Sequence, residues 1–146
     1  MGVRTRTRAE NRKEAKKDVA FARLNNCPTS PRKMRLIADL VRGKRVELAL
    51  HILKNNAKQP SERLRKLLLS AIANWQAKNE GVRIEDSDLY IKEIFVDSGR
   101  QLKRLQTAPQ GRAHRIRKRS NHVTILLDSR NKPVAEEEVA KEETEN

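Results

Sequence analysis

Between residues 30 and 80 the apolar positions recur with a helical period. Met34, Ile37, Ala38 and Val41 fall at i, i+3, i+4 and i+7, which gathers them on one face of a 3.6-residue helix. Ser30 stands at the N-cap position and Pro31 at the first helical residue, where a missing N–H costs nothing. Gly43 offers a left-handed stop. Val46, Ala49, Leu50 and Leu53 repeat the spacing and predict a second helix. Pro60 and Ser61 open a third, the longest, with Leu64, Leu67, Leu68, Ala71, Ile72 and Trp75 as its stripe and Gly81 as its stop. All three stripes read as core packing.

On either side of the helices the period changes. "DVAFARLNN" predicts a short strand entering the first of them, and "DLYIKEIFVDSG" and "NHVTILLDS" predict two more from their β-branched and aromatic residues. Strands this short need helices packed on one face. If the last two pair antiparallel, everything from Ser98 to Asn121 is a single hairpin excursion. Residues 18–133 are then one α+β domain.

The excursion is where charge changes the picture. From Ser98 to Leu127 there are eight basic residues (Arg100, Lys103, Arg104, Arg112, Arg115, Arg117, Lys118 and Arg119) and no Asp or Glu. Apolar residues are few: Leu102, Leu105, Ala108, Ala113 and Ile116. Thr107 to Gly111, with Pro109 and Gly111, supplies turn chemistry at the midpoint. At period two, Arg115, Arg117 and Arg119 share one face, with Arg112, His114 and Lys118 on the other. A basic run is commonly a solvated loop, but flanking strands, a central turn and the lack of acids favour a hairpin inserted among phosphates. The planar guanidinium suits that place, since it grips phosphate oxygens in pairs and stacks on bases.

Composition agrees. The chain has 146 residues, 33 Lys and Arg against 19 Asp and Glu, a net charge of +14, 36% apolar residues and 3% aromatic residues. That allows a small core and predicts a polyanionic partner. Residues 1–17 read as a basic arm, flexible or helical on contact, with Arg4, Arg6, Arg8, Arg12, Lys13, Lys16 and Lys17 against Glu10 and Glu14. Residues 134–146, with six Glu and one Lys, read as a disordered acidic tail; without its net −5 the remainder carries +19. The longest apolar run, Leu67-Leu68-Leu69, is far too short for a membrane span, and the start is too polar for a signal peptide.

The lone Cys27 excludes an internal disulfide and a multi-thiolate metal site. A nuclease would need grouped carboxylates or a histidine acid–base pair. His51 lies in a helix, His114 and His122 in the basic arm, and Asp86, Asp88 and Asp97 read as residues flanking strands. No cofactor, metal or catalytic set emerges. A free nucleic-acid chaperone remains the rival, although a projecting hairpin suits a preformed crevice better.

"SPRKMRLIADLVRGKRVELALHILKN", "LLLSAIANWQAKN", "LYIKEIFVDSGRQLKR" and "GRAHRIRKRSNHVTILL" resemble, in order and spacing, the bacterial large-subunit ribosomal protein L-twenty-two family over about residues 20–130. The resemblance implies an α+β fold: three helices packed on a small three-stranded antiparallel sheet, with a long projecting β-hairpin. It implies a non-catalytic constituent of the large ribosomal subunit in the cytoplasm that binds large-subunit (23S) rRNA and supports assembly. The globular part would sit near the mouth of the peptide exit tunnel, beside neighbouring ribosomal proteins. The hairpin would line the tunnel, with the nascent polypeptide at its tip. Ser30, Arg32, Lys33 and Arg35 match the family's basic helix start, Arg42, Gly43 and Lys44 an "RGK" turn, Lys103 and Arg104 the outgoing arm, and Gly111, Arg112 and Ala113 the return. With these, Arg100, His114, Arg115, Arg117, Lys118 and Arg119 complete the candidate rRNA contacts. The tip, Gln106, Thr107, Ala108, Pro109 and Gln110, departs: family members usually carry a Pro-Arg-Ala run there, so tip contacts do not transfer.

Overall fold

The apolar stripes close on one core. The structure, a computed structural model, describes residues 3–79 and 87–130, with backbone only at 14–18; Gly81, Asp86 and the acidic tail lie outside the described residues. In chain order the elements are α1 (Val3–Asp18), β1 (Ala20–Cys27), α2 (Pro31–Val41), α3 (Val46–Asn55), α4 (Gln59–Lys78), β2 (Leu89–Thr107) and β3 (Ala113–Ser129). The strands form one antiparallel sheet in the order β1-β3-β2. Helices α2, α3 and α4 bury Met34, Ile37, Val41, Val46, Leu53, Leu64, Leu68 and Trp75 with Ala22, Ile91, Ile94, Val96, Val123, Ile125 and Leu127 of the sheet. The other sheet face is open, and Phe21 and Phe95 on it are half exposed.

The helix starts and stops follow the sequence in part. Ser30 holds the N-cap position of α2 with extended backbone, but its hydroxyl makes no cap bond; its carbonyl accepts the N–H groups of Lys33 and Met34. Gly43 has φ +72°, the left-handed geometry expected of it. The turn it makes is used at once: Gly43 N donates to Ile91 O and Ile91 N to Lys44 O, both at 3.0 Å. Helix α4 ends at Lys78, before Gly81, where Asn79 donates both its backbone N–H and its side-chain amide to Trp75 O.

The two later strands are longer than their apolar cores suggest. Each runs without a break through the excursion, β2 for 19 residues and β3 for 17. Ser98 pairs with Asn121, and beyond them the ladder continues to Thr107 opposite Ala113. The pairing is interrupted only by bulges. One extra β2 residue lies between Ile91 and Glu93, another between Ser98 and Gln101, and β1 has one between Leu24 and Cys27, where Asn26 takes φ 52°. At the first bulge Lys92 Nζ meets Asp128 Oδ2 at 2.7 Å. That hydrogen bond, then the carboxylate's charge, raises the Lys92 ammonium above its ordinary value. The contact is therefore fully present below the usual lysine range and is lost only as pH rises through the raised value.

At the second bulge a Cβ on Gly99 would lie 2.7 Å from Ser120 Oγ and 3.2 Å from Ser120 C, while Ser120 Oγ donates to Arg100 O at 2.6 Å. Gly99→Ala is expected to cost about 1–3 kcal/mol through overpacking, read as a lower urea midpoint. An unchanged midpoint would mean that the bulge yields freely.

Candidate nucleic-acid interface

The hairpin grows out of the core by keeping its pleat while its residues change. Along β3, Leu127, Ile125, Val123 and Asn121 are buried on the helix-facing side. Alternation places Arg119, Arg117 and Arg115 next on that same side, opposite Gln101, Lys103 and Leu105 of β2. The other side presents Lys118, Ile116 and His114 opposite Leu102, Arg104 and Gln106. From residue 100 to 119 no side chain is buried, and among the described residues none of the hairpin's cations is in an ion pair. The excursion is held by its backbone ladder, with side-chain bonds only from Ser120 Oγ to Arg100 O and from Arg104 Nη1 to Lys103 O among the described residues, and both faces are cationic. From Asn121 to Ala113 it projects roughly 26 Å at about 3.3 Å per residue.

The tip is tighter than the sequence suggests. Gln106 and Thr107 still belong to the ladder, opposite His114 and Ala113. The turn itself is closed by Ala108 N donating to Arg112 O at 2.8 Å, with Gln110 and Gly111 at positive φ. Arg112 therefore lies in the turn, not on the strand face expected to hold it with His114 and Lys118.

A second group of cations stands at the hairpin's root. Arg32, Lys33 and Arg35 are exposed on the first turns of α2, whose leading N–H groups also favour anions. Asn121 ties this helix start to the hairpin: its fully buried amide donates to Thr29 O at 2.7 Å and to Thr29 Oγ1 at 2.8 Å. Thr29 immediately precedes Ser30. The basic helix start is thus fixed beside the root of the basic hairpin.

Two of the candidate contacts have other work. Strand β2 has β3 on one side only, and arginines from the α2 region meet its remaining carbonyls. Arg35 donates through Nε and Nη2 to Val96 O, at 3.3 and 3.0 Å. Arg42 donates to Ile94 O at 3.2 Å and pairs with Asp39 at 2.6 Å. Together with the Gly43 and Lys44 backbone bonds to Ile91, the "RGK" turn closes the edge of the sheet. Lys44 keeps an exposed side chain beside it.

Other side chains settle questions the sequence left open. His122 is half-buried, and its Nδ1 accepts the Asn26 N–H at 3.0 Å and props the β1 bulge. Asp88 is a turn residue paired with Arg45 at 2.8 Å, whereas Asp97 lies inside β2 opposite His122. Cys27 is buried between Thr29 Oγ1 at 3.3 Å and Arg63 Nη1 at 3.1 Å. Asn121 was the residue missed. The signal lay in the alternation of Val123, Ile125 and Leu127, which, carried two residues back, puts a lone amide on the core face.

No described helix is long and apolar enough to cross a membrane. The family described as ribosomal protein L22p/L17e matches residues 22–128. The chain is 71% identical over 131 residues to the large ribosomal subunit protein uL22 of Christiangramia forsetii, covering 90% of this chain and 97% of that one. It is 66% identical to the protein of the same name from Flavobacterium psychrophilum (90% and 96% covered) and 56% identical to that of Bacteroides fragilis strain YCH46 (89% and 95% covered). With its core, its projecting hairpin and nearly its whole length accounted for in this way, the chain belongs to the ribosomal protein L22p/L17e family.

Proposed function

We propose that this protein, a non-catalytic structural constituent of the large ribosomal subunit, holds rRNA through the hairpin and the adjoining start of α2. Arg115, Arg117, Arg119 and Lys103 serve one face, and Lys118, Arg104 and His114 the other. Arg100 at the bulge, Arg112 at the turn, Ser30, Arg32 and Lys33 at the root, and Lys44 beyond the far end of α2 complete the surface. Arg35 and Arg42 contribute charge while their guanidiniums brace β2. The globular part sits near the mouth of the exit tunnel and the hairpin lines its wall. The turn around Ala108 to Gln110, free of charge, faces the nascent polypeptide without attracting or repelling charged segments of it.

One observation carries this reading: a regular two-stranded ladder that buries no side chain and carries cations on both faces. An isolated two-stranded ribbon is at best marginally stable in water, so a surrounding polyanion is what fixes its shape. Amide hydrogen exchange tests it. In the free protein, amides 101–118 are expected to exchange fast while those of α4 are protected, and adding large-subunit rRNA should slow the hairpin amides at least tenfold. Hairpin amides as protected without RNA as with it would sink the proposal.

A further inference from the structure

Helix α1 lies outside the segment that matches the family. Its 16 residues would span about 24 Å at 1.5 Å per residue, and every described side chain from Val3 to Lys13 is exposed. Among the described side chains it therefore has no buried apolar face to explain its folding by packing.

Its charge arrangement works against a helix standing alone. Arg4, Arg8 and Arg12 follow one another at i, i+4 spacing, where like charges repel. Arg4 and Arg6 crowd the first turn, which contains no acid, and cations are disfavoured at that end of the helix dipole. Most helical stability in proteins comes from packing of one face, and at 16 residues α1 is barely longer than the ~12–15 below which even good helix formers are marginal in water.

The same arrangement favours a polyanion. Glu10 is paired with Arg6 at 3.0 Å. At about 100° per residue it lies roughly 200° around the helix from the middle of the Arg4–Arg8–Arg12 stripe. The stripe is thus free of acid, and its members step about 6 Å along the axis, close to the step between successive phosphates of a strand.

We infer that α1 is a second RNA-binding element, which lays its Arg4–Arg8–Arg12 stripe along the backbone of a structured RNA and gains its helical stability there. This rests on the reading that the chain binds rRNA. Ala20, at the root of α1, pairs with Leu127 at the end of β3 remote from the hairpin tip. From Leu127 to Ala113 is about 46 Å at ~3.3 Å per residue. The two proposed RNA contacts therefore start from opposite ends of the sheet.

The test uses the full chain and large-subunit rRNA across a salt series. Arg4→Gln, Arg8→Gln and Arg12→Gln together keep helix propensity. They are expected to lower the slope of log affinity against log salt by about two, at 0.7–0.9 per lost phosphate contact. In the unmodified chain, amides 7–13 should exchange at least tenfold more slowly once rRNA is added. An unchanged slope, or amides equally protected without RNA, overturns the inference. The hairpin triple variant measured in parallel separates the two readings: if it lowers the slope while the α1 variant does not, α1 alone is refuted, and if neither does, rRNA binding by these surfaces fails as well.

Discussion

Replacing Arg115, Arg117 and Arg119 together with alanine is expected to lower the salt slope of rRNA binding by about two while leaving stability almost unchanged. All three are exposed on one face of β3 and none is in an ion pair among the described residues, so their removal opens no cavity and strands no partner. Each released phosphate contact carries about 0.7–0.9 of slope, so between 50 and 200 mM salt the variant should lose roughly 20- to 40-fold less affinity than the parent. Lys103→Ala, on the same face across the ladder, should subtract about one contact more. A slope indistinguishable from the parent's would mean that these arginines meet only water. Equal slopes on rRNA and on duplex DNA of the same length would favour a general nucleic-acid chaperone, since phosphate contacts alone are indifferent to sequence.

The largest effect on folding is expected in α4. Leu68 is fully buried in the single core shared by helices and sheet, and Leu68→Ala should destabilise the protein by about 2–5 kcal/mol through lost transfer energy and the cavity left behind. In a domain whose total stability is of the order of 5–15 kcal/mol, that is a large part of the whole. Leu69, the next residue, is 45% exposed, and Leu69→Ala should stay within about 0.5 kcal/mol. Urea unfolding followed by circular dichroism distinguishes the two, and equal midpoints would show that α4 does not pack as described.

The helices were legible because packing against one sheet face demands a 3.6-residue period, and Met34 to Val41 and Leu64 to Trp75 supply it. The hairpin's limits were legible from chemistry: Asp97 is the last acid before it, and Val123 begins the apolar alternation after it. What lay between carried no packing signal, but the turn chemistry at Thr107 to Gly111 and the flanking strands pointed to a hairpin, and β2 indeed continues to Thr107 and β3 begins at Ala113. Bulges are set by cross-strand register, which no local pattern announces; the positive φ of Asn26 had a faint cue in its residue type alone. Arg35 and Arg42 show a different limit. A guanidinium bound to a backbone carbonyl and one waiting for a phosphate look the same in sequence, and only the position of β2 tells them apart.

The closed edge of β2 bears on the protein's life before it meets RNA. A strand with one side unoccupied is a template on which a second copy can add, and repetition of that step makes fibrils. From Ile91 to Val96 the template is filled by the chain's own Gly43, Lys44, Arg42 and Arg35. From Arg100 outward it is left vacant, but there the cations of one copy repel those of another. On the proposed reading this second defence would disappear as phosphates neutralise the hairpin, the same moment at which the RNA would wall it off from other copies.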